Sequence, residues 1–385
     1  MLKFASSARS TLGVEWELQL IDQDSLDLRQ AGDTVLAQVR EYAADLPQDR
    51  AQFVRNIHGE MLLNTVELVS NPRATVRECM ADLRGALELV QPVIAPMRIE
   101  LASAGTHPFA KPGYQRVTDS ERYNKIVERT QYWGRQMLLF GTHVHVGIER
   151  QELVLPVMRA LLTRFAHLQA LTAASPYWNG LETGYADNRA MIFQQLPTAG
   201  VPHQFASWEQ LERYYADLLR TGVIDEFSEI RWDIRPSPKF GTIELRMCDA
   251  ASNLKEVAMV AAFSQCLVEF FVRKAEAGEE LPVMQSWFVD ENKWRAARYG
   301  MDAVLILDAQ GNEELVTDTL SRMAEELTPI AVDLNCEQEL NYLFEVIQTG
   351  APYQRILRAA KNGADSKESV VEHLLAEMLA GKPIA

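Results

Sequence analysis

Three short segments pair acidic, histidine or arginine side chains two residues apart, and the residues between and beside them are apolar. The pairs are Glu15 with Glu17, His143 with His145, and Glu244 with Arg246. Because side chains at positions i and i+2 of a β-strand point to one face, each segment can direct two polar groups into one space. Converging carboxylates and imidazoles can bind divalent cations, and an arginine beside them suits a phosphate or carboxylate group. The leading interpretation is a metal-dependent site for phosphoryl transfer.

The first pair of glutamates is followed by two further carboxylates, Glu60 and Glu67, beside and within an apolar stretch. A lone Glu-X-Glu is more often the solvated face of a strand, and a lone histidine is more often structural. With Glu244, however, five carboxylates stand near predicted strands, and buried carboxylates that converge usually have cations as partners. One histidine among them is compatible with Mg²⁺ or Mn²⁺.

Basic residues crowd the last of these segments. They are Arg231, Arg235, Lys239 and Arg246. A charged hairpin that faces water is the usual explanation, but Arg235 and Arg246 flank a carboxylate strand in an acidic chain. Because a guanidinium binds phosphate in a bidentate way, we favour phosphate contact. The sequence has no Walker P-loop, kinase glycine loop or Gly-X-Gly-X-X-Gly fingerprint, so an ATP site must be built from the sheet and its metals.

The bulk composition excludes several classes of partner. The chain has 385 residues, of which 47% are hydrophobic, and a formal net charge of -15. Such a charge disfavours binding to nucleic acid or to anionic membranes. The four cysteines form no Cys-X-X-Cys pair, which argues against a disulfide framework or a zinc site. Without a secretory signal or an apolar run that could span a bilayer, we expect a cytoplasmic protein that acts on small molecules, with a homodimer left open.

The elements that must position these side chains are predicted from periodicity and from capping residues. Strands are expected over residues 11–22, 62–69, 101–105 and 137–148, and in a hairpin that ends with residues 241–247. Helices are expected over residues 33–46, 76–99, 119–136, 153–174, 208–219 and 255–277. Thr75 is the predicted N-cap of the second helix, with Glu78 in its capping box. Because helices and strands do not alternate regularly, the pattern indicates an α+β fold with a mainly antiparallel sheet. No linker is apparent, so one domain is predicted over residues 1–385, with a helical C-terminal part from roughly residue 255 to residue 385.

Five motifs give the chain a resemblance to a known family. They are Thr11-Leu-Gly-Val-Glu-Trp-Glu-Leu, Gly141-Thr-His-Val-His-Val-Gly, Ser175-Pro-Tyr-Trp-Asn-Gly with Thr183-Gly-Tyr-Ala-Asp-Asn-Arg, Leu196-Pro-Thr-Ala-Gly-Val-Pro, and Trp232-Asp-Ile-Arg-Pro-Ser-Pro-Lys-Phe-Gly-Thr-Ile-Glu-Leu-Arg. Together they resemble the carboxylate–amine ligases of the second glutamate–cysteine ligase type, in the glutamine-synthetase-like superfamily. The resemblance implies a single domain with a curved, mainly antiparallel sheet. Its concave face would hold ATP and two or three Mg²⁺ or Mn²⁺ ions, and helices would pack on the other side.

The resemblance also implies roles for individual residues. The implied metal ligands are Glu15, Glu17, Glu60, Glu67, His143 and Glu244. His145, Arg235 and Arg246 would contact the nucleotide phosphates, with Arg246 beside the transferred phosphate. Trp16, which stands between the first two glutamates, differs from the usual motif of the family, but its position is not one of the implied ligand positions. Because no expected ligand is missing, the resemblance implies an active enzyme.

The implied reaction is ATP-dependent and forms an amide, ADP and phosphate. An amine does not attack a carboxylate at neutral pH unless the acid is activated, here as an acyl phosphate. Arg246 would stabilise the moving phosphate, and Glu60 would accept a proton from the amine. The expected acid is glutamate or a similar compound, and the amine is cysteine or another amine. The alternatives are a metal-dependent phosphohydrolase or phosphotransferase, and a binding protein that senses ATP or metal.

The long loop-rich region over residues 175–205 is the candidate segment for substrate recognition, because long loops in a compact domain are often functional. Its candidate substrate contacts are Tyr177, Trp178, Asn179, Tyr185 and Arg189. Arg189 is the candidate partner of a substrate carboxylate, although a surface arginine in a long loop is the commoner case.

Overall fold

The central strand is formed by a segment in which every second residue is apolar. In the computed structural model, which describes residues 2–384, this strand spans Leu12–Asp22 and buries Trp16 and Leu18 completely. Glu15 and Glu17 alternate with them and therefore point to the opposite face. The prediction of a strand with one core face and one acidic face is confirmed.

Seven strands form the main sheet. In chain order, the strands of the whole structure are β1 (Leu12–Asp22), β2 (Ile57–Gly59), β3 (Thr65–Val69), β4 (Ile99–Ala102), β5 (Gly141–Gly147), β6 (Tyr177–Trp178), β7 (Leu181–Glu182), β8 (Ile234–Ser237), β9 (Thr242–Asp249), β10 (Val304–Ile306) and β11 (Glu313–Leu315). The sheet has the order β2-β3-β1-β5-β9-β8, and β4 also pairs with β1. All of these pairings are antiparallel, which confirms the predicted α+β class. The remaining strands form two small hairpins, β6-β7 and β10-β11.

Helices supply the rest of the architecture. They are α1 (Gly32–Ala44), α2 (Gln48–Ala51), α3 (Val76–Ile94), α4 (Glu121–Thr130), α5 (Gln151–Leu161), α6 (Phe165–Thr172), α7 (Asn188–Phe193), α8 (Trp208–Arg220), α9 (Leu254–Glu276), α10 (Ser286–Tyr299), α11 (Val316–Asp333), α12 (Glu337–Thr349), α13 (Pro352–Asn362) and α14 (Lys367–Ala380). Helix α3 begins as predicted, because Thr75 and Glu78 form a reciprocal capping box. Within residues 2–384, no helix has both the length and the apolar composition that crossing a bilayer requires.

The main hydrophobic core lies against the face of β1 opposite the glutamates. Helices α3 and α9 pack on this face and contribute the fully buried Leu83 and Phe263. The same core extends from Leu12 to Met378, so the C-terminal helices share it with the sheet. The division of residues 1–385 into domains stays a prediction.

The bounds of several predicted elements differ from the structure, and two expected helices are interrupted. The apolar run 153–174 was expected as one helix, but α5 ends at Leu161 and α6 starts at Phe165. At the break, the Thr163 hydroxyl donates to the carbonyl of Ala160 at 2.7 Å, and this side-chain bond competes with helix continuation. The expected helix 119–136 ends at Thr130, and a separate 3₁₀ turn follows.

Candidate active site

The register of the sheet places the predicted ligands side by side on one face. The directly opposite pairs are Glu17 with Glu67, Glu15 with His143, and His145 with Glu244. Directly opposite side chains on one face of an antiparallel pair stand about 4.5–5.5 Å apart at Cβ. Four strands therefore contribute to a single polar surface.

A cavity of about 760 Å³ lies over this surface. The predicted site residues that line it are Glu15, Glu17, Glu60, Glu67, His143, His145, Arg189, Arg235, Glu244 and Arg246. The structure thus brings together all of the candidate metal ligands and phosphate contacts and one of the five candidate substrate contacts.

His143 lies between the carboxylate of Glu15 and the guanidinium group of Arg189. Its Nδ1 lies 3.0 Å from Oε2 of Glu15, and Nη2 of Arg189 lies 3.2 Å from its Nε2. Because an arginine can only donate, Nε2 is the acceptor and Nδ1 carries the proton. Burial, followed by the charge of Arg246, lowers the pKa of His143 to about 4. The imidazole is therefore neutral at physiological pH, which is the form that binds metal, and a cation on Nε2 would replace the hydrogen bond from Arg189.

Glu244 is enclosed by cations. Arg235 donates to its Oε2 at 2.5 Å, Arg246 donates to its Oε1, and Nε2 of His145 lies 3.8 Å from the same oxygen. Burial opposes ionisation of the carboxyl, but the two arginines prevail and hold its pKa well below the usual range. Glu244 is therefore an anion that keeps two guanidinium groups in the cavity.

The other side of the cavity has an excess of carboxylates. Burial and the neighbouring charge of Glu60 raise the pKa of Glu17 to about 8. Burial, followed by the charges of Glu15, Glu60 and Glu17, raises the pKa of Glu67 well above the usual range. Carboxyl groups whose ionisation is disfavoured in this way are the groups that a divalent cation would stabilise.

At two places, three side chains lie close enough together to bind one cation. The groups with ligand atoms within 4.8 Å of one another are Glu15, His143 and Glu244, and Glu17, Glu67 and His143. Oxygen and imidazole ligands of this kind suit Mg²⁺ or Mn²⁺. The second group fits a cation better, because its carboxylates have no arginine clamp comparable with that of Glu244.

Glu60 follows β2 and lines the same cavity. Its Oε2 accepts the backbone N–H of Met61 at 2.8 Å and the hydroxyl of Tyr123 at 3.3 Å. Burial and the charge of Glu15 raise its pKa. Tyr123 and Arg122 line the cavity from α4 and were missed from the sequence. Helix α4 has no buried residue and therefore looks like an ordinary surface helix, so the sequence contained no signal for them.

The first turn of α7 places Arg189 in the cavity. Asp187 is the N-cap of α7 and accepts the N–H of Ala190 at 2.8 Å, and Gln169 donates to Asp187 at 2.9 Å. The Arg189 side chain also donates to the carbonyl of Arg246 at 3.1 Å. Arg189 is 5% exposed, so the commoner expectation of a surface arginine is wrong here.

The absence of a side chain at Gly141 permits Arg189 and His143 to lie close together. A Cβ atom at Gly141 would lie 2.3 Å from Nη2 of Arg189 and 2.9 Å from Nε2 of His143. The Gly141 N–H also donates to Oε2 of Glu17 at 2.5 Å. The glycine that opens the histidine strand therefore has a specific steric role.

The other four candidate substrate contacts lie outside the cavity, which corrects the expectation that they frame a substrate there. Tyr177 is buried in a second hydrophobic cluster, and Trp178 packs against that cluster. Asn179 forms the turn of the β6-β7 hairpin with a φ of 49°. Tyr185 packs beside Arg298. The N–H of the adjacent Gly180 donates to the carbonyl of Pro108 at 3.2 Å, so the tip of the hairpin contacts the loop after β4.

Known proteins match this chain over nearly its whole length. A model of glutamate–cysteine ligase family 2 matches residues 11–374. A relative from Paenarthrobacter aurescens (strain TC1), provisionally named glutamate–cysteine ligase 2-2, is 50% identical over 380 residues, which cover 99% of each chain. A relative from Mycobacterium tuberculosis (strain ATCC 25618 / H37Rv), provisionally named glutamate–cysteine ligase 2, is 47% identical over 378 residues, 98% of this chain and 97% of the relative.

Two solved structures share the fold at low sequence identity. The glutamate–cysteine ligase of Francisella tularensis in complex with AMP has a TM-score of 0.68 at 11% identity, covering 97% of this chain and 90% of that one. A bifunctional glutathione synthetase from Pasteurella multocida has a TM-score of 0.63 at 17% identity, covering 97% of this chain and 52% of that one.

Proposed function

The chain belongs to glutamate–cysteine ligase family 2, and from that premise we propose that its cavity joins the side-chain carboxylate of glutamate to an amine such as cysteine. It is an ATP-dependent carboxylate–amine ligase. In our proposal, ATP is converted to ADP and phosphate, and the acid is activated as an acyl phosphate. The cytoplasmic location and a homodimer stay predictions from the sequence.

The observation that carries this proposal is the division of the cavity into a side rich in carboxyl groups and a side that carries two guanidinium groups. Glu17 and Glu67 stand opposite each other on one side, and Arg235 and Arg246 clamp Glu244 on the other. A polyphosphate with bound cations needs both kinds of group at once, because the cations require carboxylates and the transferred phosphate requires guanidinium groups.

The proposed cation ligands are Glu15, Glu17, Glu60, Glu67, His143 and Glu244, and the ions would be Mg²⁺ or Mn²⁺. The fit rests on the two ligand groups and on the raised pKa of Glu17 and Glu67. When bound, the cations would neutralise phosphate charge and align ATP with the acid.

Arg246 is the proposed stabiliser of the transferred phosphoryl group. In the structure its guanidinium faces Glu244, while its backbone carbonyl accepts a bond from Arg189. The paired carboxylate keeps the guanidinium in the cavity before the nucleotide binds, so little reorganisation is needed when phosphate charge develops. Arg235 and His145 would contact the phosphates from the same edge.

Glu60 is the proposed acceptor of the proton that the amine loses when it attacks. Its pKa is raised, which makes the ionised carboxylate a stronger base, and the hydroxyl of Tyr123 orients one of its oxygens. Arg189 is the proposed partner of a carboxylate of the amino-acid substrate, because its charge reaches the cavity without an acidic partner among residues 2–384.

An acceptor screen tests the proposed function. Purified protein, ATP, Mg²⁺ and L-glutamate are incubated with cysteine and with a panel of other amines, and phosphate release and product mass are measured. We expect an amide, ADP and phosphate in equal amounts with at least one amine. Phosphate release that needs no amine would favour a phosphohydrolase instead, and ATP binding without any product would favour a sensor.

A further inference from the structure

A second cavity lies away from the sheet, where α9 and α11 meet the loops before α10 and after β10. Its volume is about 470 Å³, and its lining shares no residue with the candidate active site. The floor is apolar and belongs to the main core. It consists of Leu267, Phe271, Met323 and Leu327, which are 3%, 2%, 4% and 1% exposed. A ligand with an apolar body would therefore find an apolar surface to cover.

One cation on this cavity lacks a carboxylate partner. Arg164 lies between α5 and α6, and its Nη1 donates to the carbonyls of Thr163 at 3.0 Å and Leu307 at 3.2 Å. It forms no ion pair with any side chain of residues 2–384. Burial lowers the pKa of Arg164, and the charge of Glu326 only partly opposes that effect. The pKa of His167 is lowered to about 3, first by burial and second by the charge of Arg164.

The remaining charges of the cavity are engaged or lie at its mouth. Lys274 pairs with Glu279 at 3.4 Å. The carboxylate of Asp308 accepts three hydrogen bonds within its own turn, at 2.7 to 3.2 Å. Glu280 and Glu326 are exposed at the rim. Arg164 is therefore the cation still available to a ligand.

We propose that this cavity binds a small monocarboxylate with an apolar body, either an apolar α-amino acid or the corresponding acid without the amino group. The carboxylate pairs with the guanidinium of Arg164, whose charge is costly to leave unpaired in a partly desolvated site. The apolar body covers Leu267 and Phe271. The rim carboxylates of Glu280 and Glu326 repel a second negative charge, which excludes dicarboxylates such as glutamate, and they suit an ammonium group.

Binding to the full-length protein tests this site by isothermal titration calorimetry, in chelator and without nucleotide. The probes are leucine, 4-methylpentanoate and leucinamide, which share an apolar body. We expect the two acids to bind saturably and the amide not to bind. Tighter binding of leucine assigns the ligand to amino acids, whereas tighter binding of 4-methylpentanoate assigns it to acids without an amino group. Leucinamide that binds as tightly as leucine would overturn the proposal.

Two variants locate the site. Arg164→Gln should weaken binding of the better acid at least about tenfold, equivalent to about 1.4 kcal/mol. If that variant does not fold, Val283→Asp places a negative charge at the rim on a residue that is 40% exposed, and it should weaken binding similarly. Leu379→Asp, on α14 and 84% exposed, is the matched control and should bind normally. Absence of saturable binding to the wild type, or equal affinities in wild type, Arg164→Gln and Val283→Asp, would contradict the proposal.

Discussion

The guanidinium of Arg189 lies against the imidazole of His143, with Nη2 3.2 Å from Nε2, although 46 residues separate the two in the chain. The contact joins the first turn of α7 to the strand that carries the histidines. It fixes which ring nitrogen of His143 is protonated, and it aims a cation into the cavity beside the proposed metal ligands.

Arg189→Lys should raise KM for the acid substrate about tenfold or more, with a smaller effect on kcat. A lysine keeps the charge but cannot make two parallel bonds to a carboxylate. Arg298→Lys is the matched control, because Arg298 contacts the segment just before α7 through the carbonyl of Gly184 and does not line the cavity. Steady-state kinetics with varied glutamate measure the effect. An unchanged KM in Arg189→Lys would assign this arginine a structural role.

Glu17→Gln should reduce turnover about a hundredfold or more, equivalent to roughly 2.7 kcal/mol in the barrier. The amide keeps the shape of the side chain but removes the charge that a cation requires, so the midpoint of thermal unfolding should change little. Glu100→Gln is the control, since Glu100 is an exposed residue on the neighbouring β4. Turnover close to the wild-type rate would show that Glu17 is not a ligand.

In excess chelator, the protein should lose stability as the pH rises from about 5 to about 8. Glu17 and Glu67 have raised pKa values in the folded state, at about 8 for Glu17. The folded chain therefore binds more protons than the unfolded chain in this range. Their contribution to stability is complete below the unfolded carboxyl pKa and is lost as the pH approaches the folded value.

Thermal unfolding at the two ends of this range measures the effect. Glu67→Gln should lose less stability between them than the wild type, because the amide does not ionise, whereas Glu100→Gln should behave like the wild type. Added Mg²⁺ should restore stability chiefly at the higher pH. If the pH dependence of stability is identical in Glu67→Gln and the wild type, the pKa of Glu67 is not raised in the folded protein.

Arg246→Lys should lower kcat more than it changes KM for ATP. The guanidinium fork is expected to bind the transferring phosphate best in the transition state, and an ammonium group does not reproduce the fork. Arg77→Lys, at an exposed position of α3, serves as a control for the substitution itself. If only KM for ATP changes, Arg246 acts in ground-state binding.

The sequence predicts the composition of the site because alternation along a strand is a local property. Glu15 with Glu17, and His143 with His145, had to share a face once each segment was a strand. The register is not local, so the sequence could not show that Glu17 stands opposite Glu67 or that Arg235 stands opposite Glu244. These cross-strand positions depend on how distant strands pair.

The residues that were missed or misplaced depend on tertiary packing. Tyr123 reaches Glu60 from a polar helix that no periodicity distinguishes from a surface helix. Tyr177 and Trp178 share a motif with Arg189, yet the β6-β7 hairpin turns them toward another hydrophobic cluster. Length and composition made this loop a candidate for substrate recognition, but they could not show which of its side chains reach the cavity.

The most direct test of the acyl-phosphate account is the transfer of oxygen from the acid to phosphate. L-Glutamate labelled with ¹⁸O in its side-chain carboxylate is converted in the presence of ATP, Mg²⁺ and the amine identified by the screen. Mass spectrometry should find one ¹⁸O atom in each released phosphate, because the amine displaces the oxygen that the carboxylate donated to phosphorus. Two results would contradict the account. One is amide formation with unlabelled phosphate, and the other is release of AMP that carries the ¹⁸O label, which would indicate adenylation of the acid.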